Sequence, residues 1–181
     1  MKALFIKPSS LGDIVHGLQL VESLRHDLTD LNVSWVARDI FAPIVRACNT
    51  VDEVFVFNRR GGIRDYLRLV AEVRNQEFDW VIDLQGLFRS GLLTFLSKGK
   101  NKLGRADARE FAGLFYHTKS SLPPHGKESH ALDILLQFRK KFGLNPELKG
   151  KLSFDSFLPE GVWDLNPHKK TLLFFPESRR I

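Results

Sequence analysis

Five residues near the N-terminus, Ser9-Ser10-Leu11-Gly12-Asp13, set two hydroxyls, a glycine and a carboxylate directly after a short apolar run. Gly12 permits a sharp turn and a close approach of backbone to a ligand. A helix starting here would offer free N–H groups and a partial positive charge, which suit a phosphate or a developing anion. Asp13 falls at the expected N-cap, and two roles are open to it. One is a cap, worth about 0.5–2 kcal/mol over Ala. The other is a base that takes a proton from a reacting group. The two are in tension, because N–H bonds to a carboxylate favour its charged form and weaken it as a base. A catalytic Asp13 must therefore keep one oxygen free. His16 lies three residues on and shares the helix face. It can orient a substrate or the carboxylate, or it can be a partly exposed helix residue.

Other chemistries lack their residues. G-x-G-x-x-G is absent, and so is G-x-x-x-x-G-K-[ST]. There is no G-x-S-x-G elbow and no Cys/His set with metal spacing. The sequence thus predicts neither a metal nor a cofactor. One cysteine, Cys48, excludes a disulfide framework within the chain. This fits a reducing compartment.

The elements that must position the corner follow from alternating apolar runs and amphipathic stretches, the pattern of an α/β fold with a parallel sheet. Strands are expected at residues 3–6, 33–37, 53–57 and 78–83. The first long helix should start at Ile14, with Leu18, Val21, Leu24 and Leu28 on its face. A short helix is expected over 41–48. Another should cover 63–75, with Leu67, Val70 and Val73 inward, and a buried helix should run over 87–96. Residues 58–62 read as a loop. Residues 98–109 read as a basic stretch broken by Leu103-Gly104, and 123–126 as a loop. A further helix over 129–142 ends at Gly143. Residues 1–145 then form one domain, 146–169 a linker, and 170–181 the opening strand of a second domain that is cut off. In open parallel sheets ligands bind beyond the C-terminal strand ends. That puts Ser9–Asp13 on the ligand side, together with Arg59 and Arg60 after the third strand.

The net charge of +6 suits an anionic partner: nucleic acid, a phosphorylated sugar or lipid, or an acidic membrane surface. No nucleic-acid motif is present, so nucleic acid is not expected as a partner. The N-terminus lacks the apolar stretch of about 7–15 residues that a signal peptide needs. No run approaches the ~20 apolar residues of a spanning helix. A cytoplasmic protein that can touch a membrane surface is expected.

Lys7-Pro8-Ser9-Ser10-Leu11-Gly12-Asp13-Ile14-Val15-His16, directly after the first strand, resembles the opening of the ADP-heptose:lipopolysaccharide heptosyltransferases, glycosyltransferase family 9. Asp79-Trp80-Val81-Ile82-Asp83-Leu84-Gln85-Gly86-Leu87 is similar to the family's strand and loop around Asp-x-Gln-Gly. Ala108-Arg109-Glu110 and Leu114-Phe115-Tyr116 resemble its acceptor-contacting segment, closest to the heptosyltransferase I branch. His130-Ala131 opens the next helix in the same way. The likeness covers residues 1–142 and returns at 172–179. Gln19 stands where the family often has Pro.

The resemblance implies a GT-B fold whose N-terminal domain is a Rossmann-like parallel sheet with helices on both faces. It implies inverting transfer of a heptose from ADP-heptose to the Kdo/heptose inner core of lipopolysaccharide, on the cytoplasmic side and peripheral to the inner membrane. Asp13 matches the family's base. Ser9, Ser10 and Gly12 would hold phosphate or sugar. Arg59, Arg60 and Arg109, with Arg105 beside them, would grip an acidic acceptor, since arginine clasps carboxylate and phosphate bidentately. Lys7, His16 and Gln85 would support them, although Lys7 can also be a plain strand-end lysine. Lys98, Lys100 and Lys102 would face the anionic membrane. The donor nucleotide would be held mainly by a C-terminal domain. The alternative from another class is a non-catalytic Rossmann-like domain that binds a nucleotide or a sugar.

Overall fold

The computed structural model describes residues 1–155. Six strands, β1 Lys2–Ile6, β2 Asn32–Arg38, β3 Glu53–Phe57, β4 Phe78–Asp83, β5 Gly99–Gly104 and β6 Thr118–Lys119, form one sheet in the order β3-β2-β1-β4-β5-β6. Every neighbouring pair is parallel. Five α-helices accompany them: α1 Leu11–Asp27, α2 Ala42–Arg46, α3 Gly62–Arg74, α4 Phe88–Leu96 and α5 Ala131–Leu136.

Side chains of a strand alternate between faces, and both faces of this sheet are covered. Ala3 and Phe5 of β1 join a buried cluster with Ile14, Leu18 and Val21 of α1, Val45 of α2 and Leu135 of α5. Leu4 and Ile6 join a second cluster with Leu69, Val70 and Val73 of α3 and Leu93 of α4. The expected Rossmann-like α/β sheet with helices on both faces is therefore the observed one.

Several expectations need correction. The helix after β1 starts at Leu11, not Ile14, and Ser10 is its N-cap. Asp13 is the third helical residue, the partner of Ser10 in a capping box. Leu11 is half-exposed, so the apolar periodicity hid the first turn. Leu67, expected inward on α3, is exposed, and Leu69 points in instead. The basic stretch after residue 98 contains a strand, β5, which pairs with β4 and β6. Helix α4 is not buried throughout, since Phe88 and Phe95 face solvent.

The expected helix over 129–142 is α5 followed by a 3-10 stretch, Gln137–Phe142, that stops at Gly143 with φ 72°. The early part of the expected linker packs back on α1 and on the segment after α2. Lys149 donates its N–H to Ser23 Oγ at 2.9 Å, and Cys48 and Phe154 form an antiparallel bridge. The strand expected near 171–176 lies outside the described residues.

Candidate active site

The sheet order reverses between β1 and β4. From β1 the chain winds outward to β2 and β3; from β4 it winds the other way to β5 and β6. The loops leaving β1 and β4 therefore diverge and leave a crevice, the usual ligand position in an open parallel sheet. Two cavities open there. One of about 310 Å³ is lined by Lys7, Asp13, Gln85, Gly86, Arg105, Asp107, Arg109 and Lys127. The other, of about 390 Å³, takes Ser9, Arg38, Phe57, Arg59, Tyr66, Arg89 and Glu110 into its walls. Gln85 lines both.

The two oxygens of Asp13 are engaged differently. Oδ2 accepts the Ser10 N–H at 3.1 Å and the Ser10 hydroxyl at 2.9 Å, and faces Lys7 Nζ at 3.7 Å. Oδ1 has no hydrogen-bond partner among the described residues. The side chain is 44% exposed, so that oxygen is open to the cavity. Partial burial pushes the Asp13 carboxyl up. The Ser10 N–H, the Lys7 ammonium, the Ser10 hydroxyl and Arg105 together outweigh it and hold the group below its ordinary value.

Lys7 is 4% exposed and sits at the end of β1 rather than out in solvent. Burial lowers its pKa; Asp13 and Asp83 push it back up and Arg105 adds to the lowering. Its carbonyl accepts the Trp35 indole N–H at 3.2 Å, which pins the strand end to the core.

Asp83, fully buried at the end of β4, shapes the loop opposite. Its Oδ1 accepts the N–H groups of Gln85 at 2.8 Å and Gly86 at 3.0 Å. Its Oδ2 accepts the Tyr116 hydroxyl at 2.7 Å. Burial pushes the Asp83 carboxyl up; Gly86, Tyr116, Ser90 and Gln85 as donors counter only part of that. Gly86 has φ 70°, and its carbonyl accepts the Arg109 N–H at 2.8 Å. The turn thus ties the β4 loop to the loop after β5. It also sets the Gln85 side chain between the cavities, where Oε1 is buried without a partner among the described residues.

The basic residues divide. Arg105 is spent on Asp107, with Nε–Oδ1 at 2.8 Å and Nη2–Oδ2 at 2.7 Å. Arg109 and Lys127 remain exposed at the first cavity. The second has Arg38, Arg59 and Arg89 in its walls with one acid, Glu110, which accepts the Phe88 N–H at 3.2 Å, while Arg38 Nε also stands 3.6 Å from Asp39 Oδ1. Tyr66 donates its hydroxyl to the Arg89 carbonyl at 2.8 Å, and burial pushes its pKa up to about 12, so it stays a neutral donor there.

Of the residues singled out from the sequence, Asp13, Lys7, Gln85 and Arg109 meet in one cavity, and Ser9 and Arg59 in the adjoining one. Ser10 and Gly12 stay exposed on the first turn of α1, and Ser10 spends its donors on Asp13. Arg60 is exposed on a 3-10 turn, Arg59–Gly61, and lines neither cavity. His16 packs edge-on against His130, ring centres 5.2 Å apart, and also lines neither. Sequence reasoning missed Arg38, Arg89, Lys127 and the organising role of Asp83. Arg38 had a signal, since it ends β2 as Arg59 follows β3. Lys127 reaches in from a distant loop and had none. No group of three His, Cys, Asp or Glu among the described residues could hold a metal ion.

Residues 66–181 match the model of glycosyltransferase family 9 (heptosyltransferase). Lipopolysaccharide heptosyltransferase 1 of Salmonella typhimurium is 28% identical over 164 residues, covering 83% of this chain and 51% of that protein. The structure of E. coli heptosyltransferase WaaC with ADP-2-deoxy-2-fluoro heptose superposes with a TM-score of 0.73 at 27% identity, over 83% of this chain and 51% of that one. A family 9 glycosyl transferase from Veillonella parvula, 18% identical, shares the fold at a TM-score of 0.66, over 82% of this chain and 43% of that one. The chain thus spans about half the length of the Salmonella typhimurium and E. coli relatives.

Proposed function

Since this chain belongs to glycosyltransferase family 9, the heptosyltransferases, we propose that its crevice forms the acceptor side of an inverting transfer of a heptose from ADP-heptose to the acidic Kdo/heptose inner core of lipopolysaccharide. The observation that carries the reading is the division of labour within Asp13. One oxygen is held by Ser10 and Lys7; the other is unengaged and open to a cavity walled by four basic residues. A sugar hydroxyl placed against Oδ1 would lose its proton there as its oxygen attacks the anomeric carbon and the diphosphate leaves. The carboxylate is a weak base, so the proton moves late, when the attacking oxygen has become acidic.

The arginines of the adjoining cavity supply what an acidic acceptor needs. Arg38, Arg59 and Arg89 could hold its carboxylate or phosphate while Gln85, which lines both cavities, hydrogen-bonds to the sugar. Arg109 and Lys127 would offset charge on the departing diphosphate. In this reading the chain works on the cytoplasmic face of the inner membrane, at its surface. It needs no metal or cofactor beyond the donor sugar.

The test is Asp13→Ala in a transferase that includes this chain and the donor side. Turnover should fall by about 10²–10⁴-fold. Folding stability should fall by only about 0.5–1 kcal/mol, the worth of the lost capping-box partner. Turnover within a few-fold of the parent would remove Asp13 from the reaction.

A further inference from the structure

Phe88 is 45% exposed, Phe95 56%, Phe111 81% and Leu114 79%. Single exposed apolar residues are ordinary, but a contiguous patch marks an interaction surface. Phe88 and Phe95 are joined through Phe115, and Phe111 and Leu114 belong to the same 3-10 turn as Phe115, Phe111 as its N-cap. The Phe115 ring lies between Phe88 and Phe95, with ring centres 5.6 and 5.9 Å away. Close packing joins the two segments, since a Cβ added at Gly91 of α4 would sit 3.1 Å from the Ala112 Cα. Glu110 and Phe111 are consecutive non-glycine residues at positive φ, 52° and 60°, an uncommon backbone that turns the Phe111 ring into solvent.

The charge along these segments is mostly positive, although Lys100 pairs with Asp79 and Arg105 with Asp107. Residues 87–119 hold seven lysines and arginines against two acids, in a chain whose whole excess is +6. Both acids are engaged, Asp107 with Arg105 and Glu110 with the Phe88 N–H. Lys102 Nζ stands 5.2 Å from the Phe95 ring centre, and the Lys119 ammonium lies against Gly113. Aromatic and aliphatic side chains flanked by Lys102 and Lys119 match an anionic bilayer, whose headgroups attract the charge and whose acyl boundary takes the apolar groups.

We propose that the outer face of α4 and the 3-10 turn Ala112–Phe115 is a docking surface for an anionic lipid bilayer, with Phe111 and Leu114 entering the interface. Leu87, Arg89 and Glu110, which flank the patch, also line the arginine cavity. A headgroup in that cavity would therefore have its acyl chains beside the patch; this last step rests on the acceptor reading given above.

The experiment is sedimentation of the protein with phosphatidylethanolamine/phosphatidylglycerol vesicles and with pure phosphatidylcholine vesicles. The parent is compared with the double variant Phe111→Ser/Leu114→Ser and with Lys119→Glu, and all are titrated with a deacylated acidic sugar headgroup. The parent should bind the anionic vesicles and not the neutral ones. The double variant should bind them on the order of tenfold more weakly and Lys119→Glu about fivefold more weakly. Both variants should keep the parent's response to the headgroup. Undiminished vesicle binding by the double variant would overturn the proposal, as would equal binding of the parent to neutral vesicles. So would a dimer of the parent that the double variant disperses, which would assign the face to a second copy. Vesicle binding by a parent that ignores the headgroup would uphold the surface and count against the acceptor reading alone.

Discussion

At the residue scale the proposed transfer turns on how Lys7 and Asp13 share charge. Lys7 is among the few nearly buried cations of the described chain, and its ammonium is 3.7 Å from Asp13 Oδ2. It helps hold the Asp13 carboxyl below 3.8, so the basic form persists into acid. Burial in turn lowers Lys7 from 10.5, so its charge is lost earlier than usual as pH rises. The pH profile of kcat/KM should thus keep its acid limb below the ordinary carboxylate range and show an alkaline limb below the ordinary lysine range. Lys7→Met removes a charge that lowers Asp13. The acid limb should move to higher pH and the Lys7 limb should vanish, which pH-dependent kinetics of a transferase that includes this chain would read directly. An acid limb unmoved by Lys7→Met would mean that another group titrates there.

At the element scale the site depends on loop geometry that the sequence shows only in part. Strands β1, β3 and β4 are apolar runs, and their ends, hence the crevice, could be read from pattern alone. Strand β5, Gly-Lys-Asn-Lys-Leu-Gly, could not, because it lies near the sheet edge and buries little beyond Leu103 and Gly104. With β5 unseen, Arg105 and Arg109 had no strand end to place them. Arg38 was missed because β2 runs one residue further than its apolar core. The mostly apolar composition of α4 suggested burial, whereas Phe88, Arg89 and Phe95 face out. Of the bonds through which Asp83 acts, those to the Gln85 and Gly86 N–H groups are local, but the one to Tyr116 is tertiary and invisible in sequence. Gly86 is where this loop tolerates least. A Cβ there would meet the Arg105 Cδ at 3.0 Å and the Ala108 Cα at 3.4 Å, on a backbone at φ 70°. Gly86→Ala should cost about 1–2 kcal/mol of stability, from backbone strain alone. It should also lower kcat/KM more than Asp13-independent acceptor binding, because the Gln85 side chain and the Arg109 N–H are both set by that turn. Denaturant unfolding and steady-state kinetics on the same variant would separate the two effects.

At the scale of the whole molecule, a sheet that reverses direction between β1 and β4 leaves one crevice, and the charge is arranged around it. Cations outnumber acids in both cavities, and the surplus continues across the outer face of α4. An anionic acceptor would be drawn to the crevice by this field before any bond forms. Salt tests the idea, because the screening length falls from about 30 Å at about 0.01 M to about 3 Å at about 1 M. Affinity for a soluble acidic sugar headgroup should therefore fall by roughly an order of magnitude over that range. The double variant Arg38→Gln/Arg89→Gln removes two of the three guanidinium groups of the larger cavity. It should weaken binding at low salt and flatten the salt dependence, so that the two proteins converge near about 1 M. Calorimetric titration at several salt concentrations measures both quantities. Parallel salt curves for parent and variant would show that the recognition charge lies elsewhere, with Arg109 and Lys127 at the smaller cavity the next residues to replace.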